Sequence, residues 1–412
     1  MNGGRLVKHT IRFGLLLGLL VGLLSLSVTA SAAPRALGGF FKQVHQKCET
    51  GRDVRGEHEL LLSKWAGLAV NEDIRRDYPQ LAKSLEKINQ REWRRIQQVQ
   101  EKLKEEAIAF RQNDVKYYHP LSYEFDVEMR RADTVAVSFL QQEYTGSSGV
   151  HGMYAWEGVN LDPLTGEPIP LSAVVKDREA LVKAVCQQLR QDYPHSSFDG
   201  LEAKLQKESS SDTLNWTLDP RGITFYFNPY EIASYAEGLL MATILFREQP
   251  ELFNIAYQQT AASYAQPFSA YYPLTTSLND NGRREVIEVV QMDGAVRVRL
   301  NGQDTAIPAA LTDLQPVLIH MEDGRNYLYI DGNGKDSVRQ TLVVQLGAKS
   351  ARYIKTLPYS FRHTIAVAPA VQEYWNFLTN PNGFYIDRKG AFTSTTKTDI
   401  CAVGEKGELT FG

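Results

Sequence analysis

Three cysteines in 412 residues, Cys48, Cys186 and Cys401, are too few for a disulfide framework, and an odd number cannot all pair within one chain. Neither a Cys-x-x-Cys pair nor a His-x-x-x-His spacing occurs among these and the eight histidines, so no metal site of a recognisable type and no cofactor is expected. An excess of one charge is also lacking. With 45 basic and 48 acidic residues the formal net charge is −3, which sets up no global field to recruit nucleic acid or an anionic membrane. Nucleic acid is therefore not expected as a partner. The stretch EYTGSSGVHG, residues 143–152, carries Ser147, Ser148 and His151 but no Gly-x-Ser-x-Gly elbow, and nothing marks an orienting acid or an oxyanion hole. A hairpin turn accounts for it better than a catalytic loop does, with Gly146, Gly149 and Gly152 there to permit positive φ.

What is present begins at the amino terminus. Arg5, Lys8 and Arg12 precede the apolar run FGLLLGLLVGLLSLSV, residues 13–28, and TASAAP follows, the tripartite pattern of a secretory leader. Ala30 and Ala32 satisfy the A-x-A rule, which places cleavage after Ala32 and the rest of the chain outside the cytoplasm, secreted, periplasmic or held in the envelope. If the leader is not cut, its apolar run approaches bilayer-spanning length and the only membrane contact is that anchor.

Composition, 43% hydrophobic and 23% charged, is that of an ordinary globular protein long enough for two cores. The expected organisation is a signal peptide over 1–32, a polar leader over 33–53, an α+β domain over 54–262, a linker over 263–276 and a β-rich domain over 277–412. In the first domain HELLLSKWAGLAV reads as a strand or an extended pair. Leu81, Leu85, Ile88, Ile96, Val99, Leu103 and Phe110 then recur at helical spacing behind Pro79, predicting a helix of about 30 residues whose mixed charges solvate its outer face. The period drops to two in LSYEFDVEMR and TVAVSFLQQEY, which predicts antiparallel strands. A further strand, a turn at DPLTG and a helix capped by Asp177 follow, and then two strands joined at residues 219–222. Helices packed on an antiparallel sheet make the fold class α+β. The segment TAASYAQPFSAYYPLTT has neither period and holds Pro267 and Pro273, hence the linker. Beyond it, short alternating runs separated by Asp293-Gly294, Asn301-Gly302, Asp323-Gly324 and Asp331-Gly332 predict hairpins in a sandwich or open barrel.

DGNGKDS, residues 331–337, begins like a calcium loop, but Lys335 stands where an oxygen ligand is wanted and no closing Glu follows, so a hairpin turn is the better reading. Paired carboxylates for glycosidase chemistry cannot be picked out among 48 acids. Aromatic density is more informative. Phe225 and Phe227 must share one face of a strand and Tyr226 the other, whereas Tyr230 and Tyr235, in the loop around Asn228 and Pro229, are candidates for an exposed contact surface.

EYTGSSGVHGMYAWEGVNLDPLTGEPIPL, followed by GITFYFNPYEIASYAEG, resembles an extracellular domain found in RsiV-type anti-sigma factors and PdaC-type peptidoglycan deacetylases. The residues that carry the resemblance are Tyr144, Thr145, Gly146, His151 and Gly152, then Asp162, Thr165 and Gly166, and then Phe225, Phe227, Pro229, Tyr230, Glu231, Ile232, Tyr235, Ala236 and Gly238. The resemblance implies a lysozyme-binding module, or a non-catalytic module beside a wall-modifying enzyme, with Tyr144, His151, Pro229, Tyr230 and Tyr235 as candidate ligand-binding residues. The Asp-Asp and His-x-x-x-His metal motif of the deacetylases is absent from the sequence. The expectation is a non-enzymatic envelope protein that binds a lysozyme-like protein or peptidoglycan. The alternative is a wall hydrolase with an active site assembled from residues distant in sequence.

Overall fold

The structure, a computed structural model, describes residues 33–149, 151–279, 282–335, 338–367, 370–389 and 396–411. The leader therefore lies outside the described residues, among which no helix is long and apolar enough to cross a membrane. Residues 34–412 form one compact unit, and its architecture is mixed α+β with a β-rich carboxyl-terminal part.

The first half opens with β1 (Phe40–Asp53) and β2 (Gly56–Val70), followed by α1 (Glu72–Asp77) and α2 (Pro79–Asn113), and then β3 (Leu121–Ala132), β4 (Val137–Gly146) and β5 (Met153–Leu161). The segment expected to be a polar leader is thus mostly a 14-residue strand. Its apolar residues alternate only near its start, where Phe40 and Val44 are buried, so a polar composition concealed it. Helix α2 has 35 residues and Pro79 in its first turn, and it crosses from β2 to β3, which pair in parallel. Its residues Leu81, Leu85, Ile96 and Leu103 join Tyr123, Phe125, Val127 and Met129 of β3 in one core. Not all of its charges are solvated: Glu92 is buried and paired with Arg95, which reaches Glu143 at 2.7 Å.

Next come α3 (Arg178–Asp192), α4 (Leu201–Ser211), β6 (Trp216–Leu218), β7 (Gly222–Phe227) and β8 (Leu240–Leu245). Asp177 caps α3 by accepting from the Ala180 N–H at 2.9 Å. The weakly periodic LEAKLQKESSS gave little sign of α4, which buries only Leu201, Leu205 and Ser209. Both helices pack on one face of the three-stranded β6–β7–β8 sheet together with Phe225 and Phe227. On the other face Tyr226 meets Leu140 and Trp156.

The expected linker contains β9 (Tyr264–Pro267) and β10 (Leu274–Thr276), which enter two different sheets. β10 starts a four-stranded sheet with β11 (Glu285–Met292), β12 (Ala295–Leu300) and β13 (Gln303–Ile307). β9 is the edge of a five-stranded sheet completed by β14 (Thr312–His320), β15 (Asn326–Asn333), β16 (Arg339–Leu346) and β17 (Ala351–Leu357). The two sheets share a core of Ile287, Val298, Leu328, Ile330 and Val344, which makes a sandwich. Asp293-Gly294 and Asn301-Gly302 take positive φ at both residues, as two-residue hairpins require, and Gly324 also has positive φ. Asp331-Gly332 does not turn at all: both residues lie inside β15 and pair with β16.

Last come β18 (Arg362–Val367), β19 (Ala370–Asn376), β20 (Phe384–Lys389), β21 (Thr396–Val403) and β22 (Leu409–Phe411). β19 returns to pair with β1, so the first sheet has seven strands in the order β18-β19-β1-β2-β3-β4-β5. The other three form a small sheet whose Phe384, Ile386 and Val403 cover the second face of the five-stranded one.

Candidate functional site

Alternation on β3 sends Tyr123, Phe125 and Val127 to the α2 side and Glu124, Asp126 and Glu128 to the opposite face. Antiparallel register then places Glu124 opposite Tyr144, Asp126 opposite Gln142 and Glu128 opposite Leu140. In the next strand Tyr144 pairs with Tyr154, Gln142 with Trp156 and Leu140 with Gly158. The floor is therefore a grid, with a column of acids on β3, a mixed column on β4 and an aromatic column on β5. Residues 267–272, with Leu314 and Gln315, form the other wall of a cleft of about 550 Å³. The stretch that lacked either period is this wall. Tyr272 packs edge-on against Trp156 at 4.6 Å.

The charges on this floor are partly matched. Lys42 Nζ reaches Asp126 Oδ2 at 2.8 Å while its own side chain is buried near the Trp375 and Phe377 rings. Glu128 receives an Arg130 hydrogen bond at 3.0 Å, and Arg130 also holds Asp219 through two bonds of 2.9 and 3.0 Å. Asp219 in turn accepts from Thr224 at 2.5 Å. Burial pushes the Glu128 carboxyl up from its ordinary value, and the Arg130 guanidinium opposes that rise. Gln142 lines the cleft with its Nε2 buried and without a hydrogen-bond partner among the described residues.

The residues singled out from sequence lie beside this cleft and partly in it. Tyr144 is half-buried on the floor and packs on Tyr154 at 4.9 Å. The stretch 147–152 is the loop of the β4–β5 hairpin, with Val150 outside the described residues. Within it Ser148 Oγ donates to Glu106 at 2.6 Å, while the His151 ring stacks on Tyr235 at 3.8 Å. Those contacts use the serine and histidine for anchoring the loop. Positive φ is not the reason for the glycines, since none of Gly146, Gly149 and Gly152 adopts it. Close approach is: a Cβ on Gly146 would run into Ser122 Oγ, and one on Gly152 into the Tyr144 ring. Tyr235 continues the aromatic group to Tyr230 at 5.5 Å and donates its hydroxyl hydrogen bond to the Gly152 carbonyl. Tyr230 is 62% exposed and sits at φ +69°. Pro229 is buried and offers no contact surface.

Glu124, Asp126, Glu128, Gln142, Tyr154 and Trp156 were not picked out as a site from sequence. Alternation in SYEFDVE announced a strand with an all-acidic face, but only the pairing with β5 and the return of residues 267–272 show that this face is enclosed.

Residues 172–247 match the family model described as "Protein of unknown function (DUF3298)", so the chain carries a DUF3298 domain there. The match spans α3, α4 and the β6–β7–β8 sheet, and leaves the cleft's floor outside it. Among solved structures, a DUF3298 family member from Bacteroides fragilis aligns with 19% identity and a TM-score of 0.38, over 53% of this chain and 96% of its own. A DUF3298 family protein from Pseudomonas aeruginosa aligns with 15% identity and a TM-score of 0.33, over 52% of this chain and 96% of its own. No curated protein matches.

Proposed function

We propose, from the premise that residues 172–247 form a DUF3298 domain, that this is an extracytoplasmic, non-enzymatic binding protein whose ligand is cell-wall glycan. The observation that carries the reading is the floor of the cleft, where Tyr154 and Trp156 stand one strand from Tyr144 and Gln142 and two strands from three carboxylates. The Tyr154 ring, 40% exposed and backed by the buried Trp156, suits the apolar face of a sugar ring, and the flanking amide and carboxylates suit its hydroxyls. The leader pattern supports export, and the resemblance to RsiV-type and PdaC-type extracellular domains supports a place at the cell wall.

A lysozyme-like protein is the second ligand. Its support is the outer aromatic group, where Tyr230 is 62% exposed next to Tyr235 and His151. For hydrolysis, the one favourable observation is the raised Glu128 carboxyl, but its ion pair with Arg130 gives that residue a structural task.

The test compares the wild type with Tyr154→Ala and Tyr230→Ala in binding to purified peptidoglycan and to lysozyme, with turnover assayed in parallel. Glycan capture lost in Tyr154→Ala alone supports the cleft. Loss of lysozyme capture in Tyr230→Ala with glycan ignored would favour the outer rim, and wall hydrolysis abolished by Glu128→Gln would replace binding with catalysis.

A further inference from the structure

The charge inside the cleft is out of balance. The cleft's lining sets Glu124, Asp126, Glu128 and Glu143 against Lys42, and among the described residues Arg95 pairs with Glu143 while Arg130 pairs with Glu128 and shares its charge with the buried Asp219. Glu124 is exposed and has no ion-pair partner among the described residues. Successive acids on one strand face lie about 6.8 Å apart, and neighbouring strands about 4.8 Å apart, so the acid and aromatic columns are separated by about 10 Å. A cation placed over the acid column is thus within reach of a ring whose neighbouring unit stacks on Tyr154, which is 40% exposed, and both carboxylates and aromatic faces attract it. Gln142 adds an independent demand, because its buried Nε2 donor lacks an acceptor at the centre of the grid and a sugar hydroxyl or ring oxygen supplies one.

We propose that the cleft selects a glycan carrying free, protonated amino groups, that is, unacetylated hexosamine units, with the ammonium over Glu124 and Asp126 and the sugar ring on Tyr154. This rests on the reading of the cleft as a glycan site and narrows it to one class of sugar. An acetylated unit presents a neutral amide, which gains hydrogen bonds there but leaves the excess carboxylate uncompensated.

The experiment titrates the full-length protein with glucosamine oligomers and with N-acetylglucosamine oligomers of equal length, by calorimetry at low salt. The unacetylated oligomer should bind about tenfold tighter or more, the scale of one charge-assisted contact. That preference should shrink as salt is added and as the pH rises enough to deprotonate the amine. Glu124→Gln should remove most of the preference, weakening the unacetylated oligomer far more than the acetylated one, and Tyr154→Ala should weaken both. Equal affinity for the two oligomers, or a preference that survives in Glu124→Gln and in the Glu124→Gln/Asp126→Asn double variant, overturns the amine assignment and leaves glycan binding standing. Binding untouched by Tyr154→Ala moves the site elsewhere and overturns it as well. If neither oligomer binds, both the amine assignment and the glycan reading fail.

Discussion

Strands β3 and β15 occupy comparable positions inside their sheets but differ in how they use their two faces. β15 is buried on both sides: Leu328 and Ile330 point into the sandwich core, and Tyr327 and Tyr329 into the core under the small carboxyl-terminal sheet. β3 is buried on one side only, with Tyr123, Phe125 and Val127 against α2 and Glu124, Asp126 and Glu128 lining the cleft. A strand covered twice has only packing to do, whereas a strand covered once keeps a row of side chains at fixed spacing for a ligand. The cleft's floor thus comes mainly from the first half of the chain, and residues 267–272, at the start of the β-rich part, brace it.

The largest effect is expected where the polar face of β3 ceases to be open. Arg130→Met strips Glu128 and Asp219 of their shared cation in a buried setting, which should cost about 3–5 kcal/mol, read as a lowered urea midpoint. In β15, Leu328→Ala removes a side chain with 0% exposure and should cost about 2–5 kcal/mol by the same measurement, with no change in ligand binding beyond that loss.

Acids differ between the two strands as well. Burial, opposed by Arg339, pushes Asp331 of β15 up to about 6. The folded state then holds its proton at pH values where the unfolded chain has released it, so this contribution is full below the ordinary carboxylate range and is lost as the pH rises to about 6. Thermal melts from about pH 4 to about pH 7 should show a downward slope from this group that Asp331→Asn abolishes. The smallest effect belongs to the open face of β3. Glu124→Gln should shift stability by no more than about 0.5 kcal/mol, as exposed substitutions do. A large loss there would mean that the acid column holds the sheet together and is not free for a ligand.

Half of this contrast was legible from the residues. The period of two in LSYEFDVEMR marks a strand with two unlike faces, whereas NYLYI was one of several short alternating runs, and its cover on both faces comes from strands far along the chain. Helix α2 was readable from its stripe because each turn repeats the same local requirement. The carboxylate column was readable as a face but not as a site, because its enclosure depends on contacts with residues more than a hundred positions away. The same limit explains the linker: prolines at 267 and 273 disguise two short strands whose pairing partners lie in different sheets. His151 drew attention by its chemistry, yet its ring is committed to Tyr235. Pro229 entered through its neighbours in the motif, and its burial separates it from the exposed Tyr230.

The pairing of β1 with β19, which sets Lys42 opposite Trp375, has a consequence for how the molecule comes into being. A ribosome delivers β1 long before its partner, so in the interval one flank of this sheet shows unpaired N–H and C=O groups, the kind of edge on which chains aggregate. Pairing so distant in sequence is also slow to close. A truncation that removes β19 should therefore be felt first as insolubility caused by the uncovered β1 edge.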